Sequence, residues 1–254
     1  MRQKLELFWE FVITDFKLRY KKSLLGVLWM VIKPLIMFYI IYNVWVVIGK
    51  TLSETAVIIL IGIMLHNLFS ETVMYGLSSL VNKAHIILKI YFPRYIVVFA
   101  AAFVALINFS FNLGVITLFL IFGTHLKIVE ILIALLIISL AAFLIFALGS
   151  SLNLFLSILY VKFRDITHLV EVILQLLFWT TPILYDKELF KQNKIRTIIE
   201  VNPLTHIVEF TKNYLKNGNI QFDLLIYPAI LSFIILILGT LFFVRKIPKI
   251  AEEY

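Results

Sequence analysis

The chain has 254 residues, of which 62% are hydrophobic and 15% are charged, and it contains no cysteine. A soluble domain carries about 25% charged residues, so this composition predicts a polytopic membrane protein with one membrane domain and excludes disulfides and thiolate metal sites. The formal net charge of +8 is what loops rich in lysine and arginine and contact with anionic lipid produce, so it gives no reason to expect a nucleic-acid partner.

Residues 2–22 predict an amphipathic helix that lies in the plane of the membrane interface. Its apolar side carries Leu5, Trp9, Val12 and Phe16, with Phe8 and Ile13 beside them. A soluble amphipathic helix packed against a partner would show the same pattern. The basic run that follows leads directly into an apolar segment, which favours the membrane surface.

Six apolar segments follow, and each meets the requirement of about 20 residues for crossing the hydrocarbon core. They are 31–49, 56–80, 96–122, 129–157, 167–185 and 226–244. The prediction is therefore an all-α polytopic membrane protein, with six transmembrane helices after an N-terminal interface helix. The whole chain, 1–254, forms a single membrane domain.

Basic residues in the short loops predict the orientation. The connections 81–95 and 158–166 contain Lys83, Lys89, Arg94, Lys162 and Arg164, whereas the alternate short connections contain only Lys50 and Lys127. Both termini are therefore predicted to lie in the cytoplasm, with the tail 245–254 among them. The longer segment 186–225 is then external, and Asn202-Pro203 and Asn217-Gly218-Asn219 divide it into two short helical stretches.

No catalytic or metal-binding set is recognisable in the sequence. Gly49-Lys50-Thr51 has the ending of a phosphate-binding loop, but that loop needs a further glycine where this chain has Val44. The five histidines are scattered, without metal-ligand spacing. We therefore expect no catalytic residue, metal or cofactor in this chain, and expect any ATP hydrolysis to belong to another chain.

Polar residues inside the predicted spans are candidates for an aqueous path. Glu71 lies well inside the second span, and either a structural hydrogen bond or a pathway role explains it. Glu171, Gln175 and Phe178 share one face of the fifth span, next to Trp179. Because Glu171 lies about one helical turn from the end of that span, a position at the membrane surface is an alternative for it.

An aromatic stripe runs along the first span. Phe38, Tyr42 and Trp45 follow each other at helical spacing, with Tyr39 adjacent. Packing is the ordinary explanation of such a stripe, but a buried phenol needs a partner, and a sugar-conducting path would supply one. The candidate path-lining residues are Phe38, Tyr39, Tyr42, Trp45, Glu171, Gln175, Phe178 and Trp179.

The stretch 16–34 joins a basic run to the first span through an elbow. It resembles the motif R-Y-x-x-S-x-L-G-x-x-W-x-x-x-x-P of the ABC-2 polysaccharide export permeases, which is matched by Arg19, Tyr20, Ser23, Leu25, Gly26, Trp29 and Pro34. Further matches are Phe92-Pro93-Arg94, Arg164-Asp165-Ile166, Thr181-Pro182-Ile183-Leu184-Tyr185 and Asn202-Pro203-Leu204. Within this family, the chain is most similar to the membrane subunits of O-antigen exporters.

The resemblance implies a homodimer in the bacterial inner membrane, with two copies of a separate ATPase that binds ATP and Mg²⁺. The dimer would enclose a channel for a lipid-linked polysaccharide. The substrate-entrance elbow would contain Arg19, Ser23, Leu25, Gly26 and Trp29. The loop 82–94 would couple to the ATPase through Ile86, Ile87, Leu88, Lys89, Phe92 and Arg94, and the external helices would form a gate.

Three alternatives stay open at this point. Teichoic-acid and capsule exporters share these motifs, so the polymer is less securely implied than the class of transporter. A small-molecule or drug exporter of the ABC-2 class would have the same fold with a narrower path. A membrane enzyme or scaffold without a transport role is the third alternative.

Overall fold

The computed structural model describes residues 2–21, 23–47, 53–90, 92–190 and 194–248. Within these ranges the regular structure is helical, without a strand, which confirms the predicted all-α class. The helices are α1 (Arg2–Tyr20), α2 (Trp29–Val47), α3 (Ser53–Asn82), α4 (Ala84–Ile87), α5 (Tyr95–Gly123), α6 (Ile128–Lys162), α7 (Ile166–Thr180), α8 (Lys194–Val201), α9 (Pro203–Asn217) and α10 (Asp223–Lys246). Short 3₁₀ turns occupy Gly26–Leu28 and Lys187–Phe190.

Four of the described helices are long and apolar enough to cross a membrane. They are Ala56–Asn82, Tyr95–Gly123, Ile128–Lys162 and Asp223–Lys246, and they correspond to the second, third, fourth and sixth predicted spans. The first and fifth predicted spans correspond to the shorter apolar helices Gly26–Ile40 and Ile166–Thr180. The structure therefore supports a multi-pass arrangement, and the number of six spans stays a prediction.

Helix α7 ends before the predicted limit of the fifth span for a local reason. Thr181 adopts an extended conformation, with φ −84° and ψ 127°. The ring of a proline disfavours the helical conformation in the residue before it, and Pro182 follows directly. At 1.5 Å per residue, a helix of 15 residues is about 22 Å long, which is shorter than the hydrocarbon core of about 30 Å.

Helix α3 forms the centre of the bundle, between α5 and α6. The approach to α6 is close because a glycine of each helix faces a side chain of the other helix. A Cβ atom on Gly76 would lie 2.0 Å from Nδ2 of Asn153, and one on Gly149 would lie 2.8 Å from the Thr72 side chain. Asn153 in turn donates to the Thr72 carbonyl at 2.8 Å. Small residues and side-chain amides are the usual means of joining helices in lipid.

Helix α1 packs along α5, and its apolar residues divide between two sides. Phe11 and Val12 are buried, and Phe8 lies 5.5 Å from the Phe103 ring of α5. Leu5 and Trp9, which the sequence placed on the same side as Val12, are exposed. A helix therefore occupies Arg2–Tyr20, with its protein-contacting side turned toward Phe8 and Phe11. Its predicted position in the plane of the membrane interface stays a prediction. The exposed apolar side remains available to lipid.

Helices α8 and α9 confirm the two helical stretches predicted between 186 and 225. The Asn202 side chain caps α9 by accepting from the Leu204 backbone N–H at 3.0 Å, and Pro203 occupies the first turn, where a missing N–H costs nothing. Gly218 ends α9 with φ 68°, a left-handed conformation that favours glycine. Helix α9 packs against α6 and α10 at the end of the bundle opposite to α4.

Candidate functional site

The elbow between α1 and α2 turns at Gly26. This residue has φ +50°, and nothing lies within 4 Å of the position that a Cβ would occupy. The Ser23 hydroxyl accepts from the Gly26 backbone N–H at 3.2 Å. Leu25 and Trp29 are exposed beside this turn. The requirement for glycine is therefore one of backbone conformation, not of space.

A cluster of polar side chains lies between α1, α3 and α5, and it contains the Glu71 carboxylate. Asn108 Nδ2 donates to Glu71 Oε2 at 2.6 Å and to the Tyr75 hydroxyl at 3.3 Å. Tyr20 donates its phenolic hydrogen to Asn108 Oδ1 at 3.2 Å. The Arg19 guanidinium carbon lies 3.3 Å from the centroid of the Tyr75 ring. We refer to these five residues as the polar cluster.

The polar cluster favours the structural explanation of Glu71. A carboxylate inside a bundle is costly unless it is paired and hydrogen-bonded, and here Asn108 contacts it directly. Burial raises the pKa of the Tyr20 phenol, and the Glu71 carboxylate raises it further. Tyr20 consequently keeps its proton and remains a donor at neutral pH. Arg19, predicted as an elbow residue, contacts Tyr75 within this cluster.

A groove of about 310 Å³ lies between α2 and α7, with α3 as its floor. Its lining residues are Met37, His66, Asn67, Ser70, Leu174, Gln175, Phe178 and Trp179. The polar groups of this groove are uncharged amides, a hydroxyl and an imidazole. Within the described ranges, no group of three or more His, Asp or Glu side chains is arranged to hold a metal ion.

The groove contains three of the predicted path-lining residues. Gln175 and Trp179 are exposed on its rim, whereas Phe178 is mostly buried. The Phe178 ring lies edge-on to His66 at 5.1 Å, and His66 Nε2 lies 3.3 Å from Ser70 Oγ. The structure thus combines an aromatic wall with a floor that can exchange hydrogen bonds. Sequence reasoning missed Met37 and Ser70, because neither residue type is unusual in a span.

The other predicted path-lining residues lie elsewhere in the protomer. Phe38 and Tyr39 line a second groove of about 520 Å³, where Phe38 lies edge-on to Phe119 at 5.6 Å. Glu171 is exposed and lies 3.6 Å from His168 Nδ1. The side chains of Tyr42 and Trp45 lie outside the described residues. A single path lined by all eight residues is thus not formed within the described part of one protomer, and it stays a prediction.

The predicted ATPase-coupling residues divide into inward-facing and outward-facing groups. Ile87 is 4% exposed and packs in a cluster with Phe11 and Val12. Phe92 lies 5.5 Å from the Phe11 ring, and Arg94 donates to the Ile247 carbonyl at 2.7 Å. These three predicted residues pack the segment against the chain itself. Their role in coupling to an ATPase stays a prediction, and the Ile87 side chain faces inward. A single helical turn has no periodicity from which the sequence could show this.

The outward-facing part of this segment is short. Leu88 is 50% exposed, Ile90 is 60% exposed, and Lys89 between them is also exposed. Ile86 is half-buried against the same cluster as Ile87. Leu88, Lys89 and Ile90 therefore form a continuous exposed surface that a partner could contact.

A buried ion pair that sequence reasoning missed joins this segment to α1. Lys83 Nζ lies 2.5 Å from Asp15 Oδ2, and the two side chains are 8% and 15% exposed. Burial lowers the pKa of the Lys83 ammonium, and the Asp15 carboxylate opposes that shift. One signal was present in the sequence: Asp15 follows Phe8, Phe11 and Val12 at helical spacing, so an acid occupies an apolar side.

A second buried lysine joins α9 to the turn that ends α7. Lys212 Nζ donates to the carbonyls of Pro182 and Tyr185 at 3.1 and 2.9 Å and to Asp186 Oδ1 at 2.9 Å. The bond from Lys212 lowers the pKa of the Asp186 carboxyl. Asn202 donates to Thr181 Oγ1 at 2.9 Å nearby. This end of the bundle therefore brings together two separate sequence motifs, Thr181-Pro182-Ile183-Leu184-Tyr185 and Asn202-Pro203-Leu204.

Residues 6–215 of the chain match the family of ABC-2 type transporters. The chain is also similar to two curated proteins of Klebsiella pneumoniae, each named O-antigen export system permease protein RfbA. One is 28% identical over 221 residues, which cover 86% of this chain and 82% of the relative. The other is 28% identical over 239 residues, which cover 94% of this chain and 91% of the relative. The matched residues 6–215 include the elbow, the polar cluster and the groove.

Proposed function

Because the chain belongs to the ABC-2 type transporter family, we propose that it is the membrane-spanning permease subunit of an ATP-driven exporter. Its substrate is a lipid-linked O-antigen polysaccharide, which it moves across the bacterial inner membrane, and both of its termini face the cytoplasm. The observation that carries this proposal is the similarity to O-antigen export permeases over nearly the whole chain. The uncharged groove between α2 and α7 is consistent with a sugar polymer.

The exporter is a homodimer of this chain with two copies of a separate ATPase. The sequence carries no complete phosphate-binding loop, so ATP and Mg²⁺ bind to the ATPase. The ATPase contacts the exposed surface of Leu88, Lys89 and Ile90. Two apolar side chains on either side of a cation suit a partner groove, because burial supplies affinity while charge sets the register.

The groove between α2 and α7 contacts the polysaccharide as it passes. Trp179 at the rim offers a flat face to sugar rings, and the mostly buried Phe178 forms the apolar wall beside it. Asn67, Ser70 and Gln175 offer donors and acceptors to sugar hydroxyls. Because these groups are uncharged, each contact is weak enough to exchange while a polymer slides. The two grooves of a homodimer together line the channel.

The elbow and the external helices lie at the two ends of this path. At the cytoplasmic end, the substrate enters beside the Gly26 turn, where Leu25 and Trp29 are exposed. At the far end, α8 and α9 form a gate that the Lys212 contacts attach to the end of α7. The gate therefore moves together with the helix that forms one wall of the groove.

Co-purification with candidate ATPases, followed by a cell-surface glycan assay in a deletion strain, tests the proposal. We expect the chain to bind one ATPase and to restore the surface polysaccharide. Replacing Leu88 and Ile90 by Asp is expected to abolish both, whereas the control Ile220→Asp, at an exposed apolar position near α10, is expected to preserve both. A wild-type chain that binds no ATPase and restores no glycan would contradict the proposal.

A further inference from the structure

Helix α1 contacts the loop 82–94, which we call the docking segment, on both of its flanks. Lys83, directly before α4, forms the ion pair with Asp15 of α1. Phe92, at the far end of the segment, lies 5.5 Å from the Phe11 ring of the same helix. Ile87, in the middle, packs in the cluster that contains Phe11. The segment is thus attached to α1 at its beginning, middle and end.

The ion pair is the contact that fixes where the segment lies along α1. Its two side chains are nearly excluded from solvent, and Lys83 Nζ also lies 4.5 Å from the centroid of the Phe11 ring. Removing one partner of a buried pair leaves an uncompensated charge, which is strongly unfavourable. Apolar contacts permit sliding, whereas a 2.5 Å contact between a carboxylate and an ammonium fixes one position of the segment along α1.

The same helix is attached to the spans one turn further along. Arg19 lies four residues after Asp15, on the same side of α1, and it contacts the Tyr75 ring of α3. Tyr20 donates to Asn108 of α5. Helix α1 therefore joins the docking segment to Tyr75 of α3 and Asn108 of α5, the members of the polar cluster that Arg19 and Tyr20 contact.

We propose that Asp15 and Lys83 are positioning residues, whose ion pair makes the docking segment and α1 move as one body. A displacement of the segment by the ATPase then passes through α1 to Arg19 and Tyr20, and from them to α3 and α5. This inference rests on the proposed function. The alternative route is the direct covalent one, from the segment into α3 through Lys83, and it does not need Asp15.

The first test compares Asp15→Asn with Glu10→Gln, an isosteric change at an exposed position of the same helix. Surface glycan and ATP hydrolysis by the co-purified complex are measured together. We expect Asp15→Asn to retain ATPase binding and to lower exported glycan per ATP hydrolysed by about tenfold, with Glu10→Gln unchanged and Asp15→Glu partly restored. An unchanged ratio in an assembled Asp15→Asn complex would overturn the proposal.

The second test remains decisive if Asp15→Asn fails to assemble. The chain contains no cysteine, so Asp15→Cys with Lys83→Cys can be joined selectively by a short bis-maleimide. We expect the unjoined double variant to export less glycan per ATP hydrolysed, and the joined complex to recover the wild-type ratio. Equal ratios in the joined and unjoined complexes would overturn the proposal. A wild-type chain that binds no ATPase would instead count against the proposed function, so the two failures are distinguishable.

Discussion

The contacts around α1 and the groove between α2 and α7 use different kinds of polar group. Around α1, buried charged side chains are held by partners on other elements, as Lys83 is by the Asp15 carboxylate and Glu71 by the Asn108 amide. In the groove, the polar groups are uncharged and partly accessible, as at Gln175 and Asn67. Paired charges fix one arrangement because breaking them is costly, whereas neutral groups can exchange partners at little cost.

In the proposed exporter, this difference separates the residues that position elements from the residues that contact the moving polymer. A helix that transmits movement needs contacts that do not exchange, and a surface along which a polymer slides needs contacts that do. Single substitutions around α1 are therefore expected to have large effects, and single substitutions in the groove small ones. Three substitutions test this expected difference in the size of the effects.

The largest effect is expected from Asn108→Leu. This change removes three hydrogen bonds of the polar cluster and leaves the Glu71 carboxylate without its amide donor. We expect the free energy of unfolding to fall by about 3 kcal/mol, measured as a lower apparent Tm of the purified protein in detergent. The matched control is Ser110→Ala, an exposed hydroxyl that bonds only to the Leu106 carbonyl of its own helix. Equal Tm values for the two variants would contradict the structural role of the cluster.

An intermediate effect is expected from Gly26→Val. The conformation at φ +50° costs a residue with a Cβ about 1–2 kcal/mol, so the elbow is expected to relax to another conformation. Export should fall several-fold while the amount of inserted protein stays near that of the wild type. Gly114→Val is the control, because Gly114 also has open space around it but lies within α5. Normal surface glycan with Gly26→Val would show that the turn has no special role.

The smallest single effect is expected in the groove. Trp179→Ala should slow export only about twofold, because each ring–sugar contact contributes little, and Trp179→Ala with Gln175→Ala should slow it further. Leu176→Ala, an exposed position of α7 outside the groove lining, serves as the control. The rate of appearance of surface glycan after induction measures the effect. An additive loss of export rate in the double variant supports sliding contacts. A complete loss of export from Trp179→Ala alone would indicate one tight site.

The sequence was sufficient where the local chemistry is distinctive. The helical class follows from composition, the ends of α9 from Asn202, Pro203 and Gly218, and the need for glycine at the elbow from Gly26 between a basic run and an apolar segment. These features depend on neighbours in the chain, so no tertiary information is needed. The end of α7 at Pro182 was missed because the apolar pattern continues past the proline.

Tertiary partners could not be predicted in the same way. Asp15 and Lys83 are 68 residues apart, and Asn108 and Glu71 are 37 residues apart, so no periodicity connects them. Phe38 and Met37 are adjacent but line different grooves, because successive residues of a helix point about 100° apart. The prediction that the aromatic stripe and the α7 face line one path needed this rotation, and in the proposed homodimer it also needs the position of the second copy.

The proposed export requires the groove to be a water-filled path for the polymer, and cysteine labelling tests this directly. Because the chain contains no cysteine, Gln175→Cys and Leu176→Cys each introduce one thiol, inside and outside the groove lining. In the assembled transporter, we predict that a water-soluble maleimide labels position 175 and that a lipid-soluble photoprobe labels position 176. Labelling of 175 by the photoprobe, with no reaction toward the maleimide, would contradict the assignment of the groove to the polysaccharide path.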